Sequence, residues 1–458
     1  MKHYIFILFA GLFFTASALV AGEAPPLPNP DVMSKEYWDL WNDSVQAEID
    51  KRIEQHRKAD AVVVLTDVKP GTEVKIEQIS HEFLFGANIF NFNQLGSKKL
   101  DDKYKAVFGE LWNSATIPFY WSAFEPEKGK LRFETCPEDN PEFWAKVFAE
   151  KRDPHKERFW RRPATDQIVE FCEQKGLFRH GHPLVTSGFH PDQWLPRKTA
   201  EDMPEVERQI ERRMTQIAKH YKGRINRWDV SNDWAQNMEK PGFLMPDKMQ
   251  LKAFKLAEKL FPKDVIFSIN CSFHKSYIPL VQDLLKQGAR IDVVGIHMHL
   301  MSENRAIAKG AKIQTPEMNQ ERLTTADKTG LPIHMSEVTV ASPDGTPEGW
   351  QIQANITRNL YRYWFSWKSI PAITWWNLVD QCGYKGEPVN SGLFTRQMEK
   401  KPAYYALERL INHEWKTNIV QKADKENMSI PFRGFKGKYK VSWTDKDGNI
   451  KTTEIVVK

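Results

Sequence analysis

Short apolar runs alternate with longer amphipathic stretches over most of the chain, from residue 83 to residue 378. The runs have the length of buried strands, and the longer stretches have apolar residues at helical spacing. The strand candidates are 83–90, 116–121, 178–185, 226–233, 264–270, 293–299, 332–338 and 373–378. Eight strands alternating with helices predict an α/β fold, a (β/α)8 TIM barrel, whose ligands bind at the carboxyl ends of the strands.

The two ends of the chain carry a different pattern. Residues 35–60 are periodic as an amphipathic helix, and residues 61–66 and 72–79 predict a β-hairpin. A second hairpin is predicted over 437–457, around Asp447-Gly448-Asn449. Because a lone hairpin is marginally stable, we expect these strands to pair into one small accessory β domain. The predicted domains are 23–80 and 415–458 (accessory) and 81–414 (barrel).

Residues 1–22 have the composition of a secretory signal peptide. A basic start precedes an apolar run over 5–20 and small residues at 17–22. The alternative, a membrane anchor, is disfavoured because the run is short for a bilayer and proline-rich residues 24–28 follow it. We therefore expect a secreted protein, in the periplasm, at the cell surface or outside the cell, without a membrane span.

The charge argues against a nucleic-acid-binding protein, and the cysteine spacing argues against a metal site built from cysteines. The net charge of +6 is small and spread along the 458 residues, so nucleic acid is not an expected partner. The four cysteines have no metal-ligand spacing, and they allow up to two disulfides after export. We expect a monomer that needs no cofactor.

Two of the strand candidates end in carboxylates. The fourth run finishes at Asn232 and Asp233, and the seventh contains Glu337. Two carboxylates at one rim of a barrel suit cleavage of a glycosidic bond, with one as proton donor and the other as nucleophile or base. Other interpretations are a helix N-cap for Asp233, a turn position for Asn232 and an ion pair for Glu337.

Two histidines on the sixth strand candidate face the same side. His297 and His299 are two positions apart, and side chains alternate along a strand. This spacing also suits a metal ion, but two ligands alone are a weak signal. We expect no metal, and a metal-dependent barrel hydrolase remains an alternative.

From about residue 80 to 412 the sequence resembles glycoside hydrolase family 10, whose best-known members are secreted endo-β-1,4-xylanases. Residues 228–233 (WDVSND) are similar to the family's WDVVNE, and 181–185 (GHPLV) to its GHTLVWH. The other matching segments, in the family's order, are 83–86, Trp121 with 124–129, 295–300, 334–338, 374–376 and 401–407.

The resemblance implies roles for particular residues. It implies that Glu337 is the nucleophile and that Asp233 is the acid/base. It implies that Asn232 binds the sugar 2-hydroxyl, that His299 hydrogen-bonds the nucleophile, and that Trp376 lies under the sugar at the cleaved bond. The remaining candidates for substrate binding are His297, Trp121, His182 and Asn88.

The sequence departs from the family on the glycone side of the cleft. Asp233 replaces a Glu, which withdraws the carboxyl group by about one C–C bond length, ~1.5 Å. Thr186-Ser187 replace the family's Trp-His, Ile117 and Tyr120 replace its Asn and Lys, and His297 replaces its Gln.

The sequence thus predicts a secreted glycoside hydrolase that cuts internal β-bonds of a plant-type polysaccharide, xylan-like by default, with retention of configuration. Its expected partner is a polysaccharide or an oligosaccharide. The main alternative is a carbohydrate-binding pseudo-enzyme, in which the aspartate at position 233 marks lost catalysis.

Overall fold

The computed structural model describes residues 23–240 and 242–458. The predicted signal peptide, residues 1–22, lies outside the described residues. Two compact units are present: one contains residues 25–57 and 83–414, and the other contains 58–82 and 415–458. In the described part of the chain, no helix has the length and apolarity needed to cross a bilayer. All four cysteines are free thiols.

The elements are numbered in chain order. The strands are β1 Lys58–Leu65, β2 Glu73–His81, β3 Leu84–Asn88, β4 Ser114–Pro118, β5 Phe178–His182, β6 Val185–Thr186, β7 Arg227–Asn232, β8 Ile266–Ser272, β9 Val293–Leu300, β10 Ile333–Val340, β11 Ala372–Trp375, β12 Asn418–Lys422, β13 Met428–Phe435, β14 Gly437–Thr444 and β15 Ile450–Val457. The α-helices are α1 Lys35–Leu40, α2 Asp43–Arg57, α3 Lys98–Glu110, α4 Trp121–Phe124, α5 Pro141–Ala149, α6 Thr165–Gln174, α7 Met203–Tyr221, α8 Met249–Leu260, α9 Tyr277–Lys286, α10 Asn304–Ala308, α11 Pro316–Asp327, α12 Pro347–Ser366 and α13 Pro402–Arg409.

The larger unit is a closed parallel barrel. Its strands follow the order β5-β4-β3-β11-β10-β9-β8-β7, and a β5–β7 pairing completes the ring. The short β6 follows β5 and also pairs with β7. Every residue of β7 and of β10 is buried. Strands covered on both faces do not alternate between buried and exposed residues, which is why the sequence shows short runs here rather than a period of two. The predicted (β/α)8 barrel is confirmed.

The second barrel strand is shorter than predicted. β4 ends at Pro118, and Trp121 begins the short helix α4 rather than ending a strand. The N–H groups of Phe124 and Glu125 donate to the carbonyls of Tyr120 and Trp121, as in a helix. The apolar run continues across this junction, so hydropathy does not mark the change.

Residues 25–57 belong with the barrel, which corrects their predicted grouping with the accessory domain. Arg57 at the end of α2 donates to the backbone carbonyl of Ile370 at 2.6 Å, and Tyr37 accepts from Asn359 at 2.8 Å. The predicted single helix is broken at Asn42, whose side chain accepts from the N–H of Val45 at 3.1 Å and so caps α2.

The smaller unit is built from strands at both ends of the chain, as predicted, but the pairing differs. β1 and β2 do not form the predicted hairpin: β1 pairs with β13, and β2 lies between β12 and β14. The predicted β14–β15 hairpin is present. β12 and β13 were not predicted, and β13 contains Pro431 and Gly434, which are rare inside strands.

Candidate active site

The polar side chains predicted at the strand ends form one connected cluster inside the barrel mouth. Contacts of 3.6 Å or less join residues from five neighbouring strands, namely His182 of β5, Asn232 of β7, Asn270 of β8, His297 and His299 of β9, and Glu337 of β10. Asp233, the residue after β7, joins the same cluster through His297. The two predicted catalytic carboxylates are therefore brought together.

Glu337 is held by three donors. His297 Nε2 lies 3.1 Å from its Oε1, His299 Nε2 lies 3.4 Å from its Oε2, and Asn270 Nδ2 donates to Oε1 at 3.0 Å. A register shift between β9 and β10 leaves Ser336 as an extra residue, and Ser336 donates to Asn270. This bulge lets consecutive side chains both face the barrel interior, as bulges near active sites commonly do.

The surroundings of Glu337 keep it ionised. Only 8 % of the side chain is exposed, and this burial acts to raise the pKa of the carboxyl. Three histidines act in the opposite direction and outweigh burial. His297 lowers the pKa through its charge and its hydrogen bond, His299 through its hydrogen bond, and His182 through its charge. The pKa of Glu337 therefore lies well below its usual range, which suits a nucleophile.

Asp233 occupies a left-handed turn at the end of β7, with φ of 58°. Aspartate is one of the residues that tolerate this region. Its backbone N–H donates to the carbonyl of Asn270 at 2.9 Å, and its own carbonyl accepts from Ser187 and Asn237 at 2.6 Å each. The N-cap interpretation is wrong, because the next α-helix in the described residues begins at Met249.

The carboxyl of Asp233 meets mainly neutral groups. Asn232 Nδ2 donates to Oδ2 at 3.1 Å and Gln236 Nε2 to Oδ1 at 3.3 Å. The side chain retains 30 % exposure, yet the surrounding protein withdraws the carboxyl from bulk water, and this desolvation raises its pKa. The charge of His297 opposes the rise, and the charge of Glu337 adds to it. A carboxyl with a raised pKa suits a proton donor.

His297 lies between the two carboxylates. Its Nδ1 is 3.5 Å from Asp233 Oδ1, and its Nε2 is 3.1 Å from Glu337 Oε1. Burial acts to lower the pKa of the imidazole, but the charges of Glu337 and Asp233 raise it to about 9. His297 is therefore a cation at neutral pH.

The same geometry bears on the metal alternative. His297, His299 and Glu337 offer ligand atoms within 4.8 Å of one another. A metal needs a free lone pair on each imidazole. Both nitrogens of His297 face carboxylate oxygens, at 3.5 Å from Asp233 and 3.1 Å from Glu337, and a metal bound at Nε2 would displace the contact with Glu337.

A buried carboxylate, Asp229, orients His182. Asp229 Oδ2 lies 2.6 Å from His182 Nδ1, and Oδ1 lies 3.0 Å from His180 Nε2. Burial opposes ionisation of Asp229, but the two histidines outweigh it and the pKa falls well below the usual range. The free Nε2 of His182 then lies 3.6 Å from Glu337 Oε1 and 3.1 Å from Tyr120 Oη.

Asp229 was not among the predicted site residues. The sequence carried a signal for it, since a carboxylate in the middle of an otherwise apolar buried strand requires a buried partner.

Asn232 and Trp376 lie at the cluster as predicted. Asn232 accepts from Asn270 Nδ2 at 3.0 Å while donating to Asp233. The Trp376 ring packs edge-on against His182, 5.4 Å between centroids, and lies 6.4 Å from the His299 ring. Both side chains are buried, and their contacts with sugar remain predictions.

Asn88 and Trp121 make other contacts. Asn88 is buried and donates to the backbone carbonyl of Trp376, so it holds the segment after β11. Trp121 donates to Glu125 Oε2 at 2.8 Å, and its ring lies 6.1 Å from that of Trp194. Trp121 does not join the carboxylate cluster, and its predicted role in substrate binding stays a prediction.

Comparisons with known proteins agree with this architecture. Among curated relatives, the anti-sigma-I factor RsgI6 of Acetivibrio thermocellus is 26 % identical over 287 residues, 61 % of this chain and 34 % of that protein. Endo-1,4-beta-xylanase B of Thermotoga neapolitana is 24 % identical over 323 residues, 65 % of this chain and 87 % of that enzyme. The chain thus spans about a third of the length of the first relative and most of the second.

A solved structure gives the same picture of the fold. Xylanase 10B of Thermotoga petrophila RKU-1, in complex with xylobiose, aligns with a TM-score of 0.55 and 21 % identity over 73 % of this chain and 95 % of that one. At this identity the likeness establishes the fold alone. The sequence profile of glycosyl hydrolase family 10 matches residues 80–410, which is most of the chain. The chain therefore belongs to glycosyl hydrolase family 10.

Proposed function

We propose that the chain is an exported, retaining glycoside hydrolase that cleaves internal β-glycosidic bonds of a plant-type polysaccharide, with xylan as the first candidate. The observation that carries this proposal is the pair of carboxylates on either side of His297, because their pKa values are shifted in opposite directions. Two carboxyl groups with separated pKa values are the requirement for acid-assisted glycoside hydrolysis.

In the proposed reaction, protonated Asp233 donates its proton to the leaving glycosidic oxygen while ionised Glu337 attacks the anomeric carbon. The glycosidic C–O bond breaks as the bond between the sugar and Glu337 forms. Asp233, now a carboxylate, then removes a proton from water, which displaces Glu337 and restores both groups. Two displacements at the same carbon give net retention of configuration.

The neighbouring side chains support these roles. The His297 cation, 3.1 Å from Glu337, stabilises the nucleophile as a carboxylate. His299 is fixed by a contact of 2.9 Å between its Nδ1 and Thr339 Oγ1, which presents its Nε2 to Glu337. Asn270 connects Asn232 and Glu337 through one amide group, so the two sides of the site are linked.

The choice of xylan and of export rests on separate observations. Xylan is favoured by the family, by the relative named as an endo-1,4-beta-xylanase, and by xylanase 10B of Thermotoga petrophila, which was solved with xylobiose. Export is favoured by the sequence pattern of residues 1–22. A monomer is the simplest state for this enzyme, and its mass in solution would test it.

The test is hydrolysis of a panel of β-linked polysaccharides by the purified chain, with product lengths resolved over time. We expect early products of mixed length from one of the polysaccharides, and loss of at least about 10⁴-fold in rate for Glu337→Gln. Glu317→Gln, on the exposed first turn of α11, is the matched control and should keep full activity. Near-normal turnover by Glu337→Gln would contradict the proposal.

A carbohydrate-binding role without catalysis is the second candidate. Two observations favour it: one matched relative is named as an anti-sigma factor rather than as an enzyme, and the side chain at position 233 is shorter than the family's Glu. The variant Asp233→Glu separates the two candidates. If the parent is inactive across the panel and this variant gains activity, the binding role is correct; if the parent is active, the enzyme is correct.

A further inference from the structure

Arg162 lies among four aromatic rings beside the candidate active site. Its guanidinium carbon is 3.7 Å from the centre of the Tyr120 ring, and the rings of Phe90, Phe189 and Tyr384 lie 5.5, 5.5 and 5.9 Å away. A guanidinium this close to a tyrosine face is stacked on it, so one face of the cation is covered and its edges remain available.

No carboxylate of the described residues lies within ion-pair distance of Arg162. Its Nη1 donates to the backbone carbonyl of Arg161 at 2.8 Å, and its other N–H groups have no protein acceptor but are open to solvent. Two buried arginines of the described residues have more acceptors around the end of the guanidinium group, although their Nε atoms also lack a partner. Arg132 forms an ion pair of 2.6 Å with Asp139, and Arg213 donates to three backbone carbonyls.

The neighbouring residue, Arg161, adds a second cation without a counter-ion. It is only 2 % exposed, its Nη1 donates to the carbonyl of Cys382 at 2.8 Å, and its Nε has no partner in the described chain. Burial, with the charge of Arg161, lowers the pKa of Arg162 to about 10, which still leaves Arg162 charged at neutral pH. No ion-paired carboxylate of the described residues neutralises these two adjacent cations, although the charge of Glu387 acts on Arg162 from beyond ion-pair distance, so an anion that binds at the open edge of Arg162 would be stabilised.

The position of Arg162 connects it to the reacting groups. Tyr120, on which it stacks, contacts His182 Nε2 at 3.1 Å, and that nitrogen lies 3.6 Å from Glu337. Phe90, Tyr120 and Trp376 form one buried cluster, so the rings around Arg162 are continuous with the tryptophan beside the nucleophile. Two side chains, Tyr120 and His182, thus connect the cation to Glu337.

We propose that Arg162, reinforced by Arg161, binds an anionic group on the substrate glycan, so that the site takes an acidic rather than a neutral polysaccharide. The planar guanidinium edge matches the geometry of a carboxylate or a sulfate, and both occur on glycans, as uronic acids and as sulfate esters. This inference rests on the proposed function, because it names a feature of the substrate of the same site.

Binding to the inactive variant Glu337→Gln tests the inference without turnover. Affinities are measured by calorimetry for two pairs of oligosaccharides: glucuronoxylan fragments against their carboxyl-reduced forms, and sulfated galactan fragments against their desulfated forms. We expect the charged member of one pair to bind at least about tenfold more tightly, as a charge-assisted hydrogen bond provides. The pair that shows the preference identifies the anion as uronate or sulfate.

The preference should depend on Arg162. Adding Arg162→Gln should reduce the charged-to-neutral affinity ratio to near one, and Arg162→Lys, which keeps the charge but loses the planar fork, should restore part of it. Arg158→Gln is the matched control, because Arg158 is an exposed arginine of the same segment that also contacts a ring, Phe159, and a backbone carbonyl. It should leave the ratio unchanged.

A ratio near one in the parent for both pairs, no binding of either pair, or a preference that survives Arg162→Gln would each overturn the inference. A preference lost equally in Arg162→Gln and Arg158→Gln would also overturn it. These readouts concern binding alone. An enzyme that hydrolyses only neutral glycans would refute this inference and keep the proposed function, whereas a protein that binds acidic glycans without hydrolysis would refute the function.

Discussion

The two carboxylates of the candidate site share one imidazole and yet behave oppositely. Glu337 contacts His297 and His299 and is 8 % exposed, whereas Asp233 has one imidazole at 3.5 Å, two neutral amide donors and 30 % exposure. The pKa falls below its usual range for Glu337 and rises for Asp233.

The difference indicates that the number of imidazoles in contact with each carboxyl, rather than the depth of burial, assigns the roles. Burial raises the pKa of both carboxyls, and it is the larger single influence on each. Glu337 is nevertheless ionised, because several imidazoles act together against burial. A change that removes one of these imidazoles, or that displaces one carboxyl group, should therefore alter Glu337 and Asp233 to different extents.

After Glu337→Gln, the largest effect is expected for Asp233→Ala with a polysaccharide substrate. Loss of the proton donor should reduce kcat/KM by about 10²- to 10⁴-fold. With an aryl glycoside whose phenolate leaves without protonation, bond cleavage should be far less affected, so the two substrates separate acid catalysis from folding. Asp264→Ala, at an exposed position before β8, is the control. Equal losses of kcat/KM on both substrates would contradict the role of Asp233 as proton donor.

Shortening the nucleophile is expected to cost somewhat less. Glu337→Asp withdraws the carboxylate by about one C–C bond, and a displacement of ~1 Å from the attack position costs about 10²-fold in kcat. The reverse change, Asp233→Glu, should alter kcat far less, because a proton donor on the more exposed side of the site can reposition. Steady-state kinetics on one substrate compares the two. A larger loss of kcat for Asp233→Glu than for Glu337→Asp would contradict this prediction.

His297→Gln should change the pH range of activity more than its maximum. The His297 cation lowers the pKa of both carboxyls, so a neutral amide raises both. The acid limb, set by ionisation of Glu337, and the alkaline limb, set by loss of the Asp233 proton, should both move to higher pH. Because Asp233 then keeps its proton to higher pH, kcat/KM should rise on the alkaline side of the profile and fall on the acid side. His155→Gln, at an exposed position, is the control, and an unmoved profile would argue against the bridging role.

The smallest effect is expected for Thr339→Val. This change removes the hydroxyl that contacts His299 Nδ1 at 2.9 Å and so loosens one of the two imidazoles on Glu337. Loss of one hydrogen bond of ~0.5–1 kcal/mol predicts about a two- to fivefold fall in kcat. Thr339→Ser keeps the hydroxyl and should retain the parental rate. If both variants lose the same activity, packing rather than the hydrogen bond is responsible.

Much of this site could be predicted from the sequence because strand ends determine where side chains converge. Asp233 and Glu337 follow buried apolar runs, and parallel strands deliver such residues to one rim. The pairing of His182 with Asp229 could not be predicted, since the interior alternation of β7 is shifted by a bulge between Asp229 and Ser231. A bulge has no reliable sequence signature.

The wrong or missing predictions concern features that depend on contacts between residues far apart in the sequence. The strands over 58–81 suggested a local hairpin, but both pair with strands from the end of the chain. Arg162 escaped prediction because it lies in the long connection between α4 and α6, where neither strand nor helix periodicity indicates the direction of a side chain.

The most direct test is rescue of Asp233→Ala by azide on an activated aryl β-glycoside, with the product identified by proton NMR. If Asp233 is the acid/base and Glu337 the nucleophile, azide should restore turnover and yield the β-glycosyl azide, because it attacks a glycosyl-enzyme that has already been inverted once. An α-glycosyl azide would show that position 233 serves as the base of an inverting enzyme, and no rescue at all would contradict the assignment of Asp233.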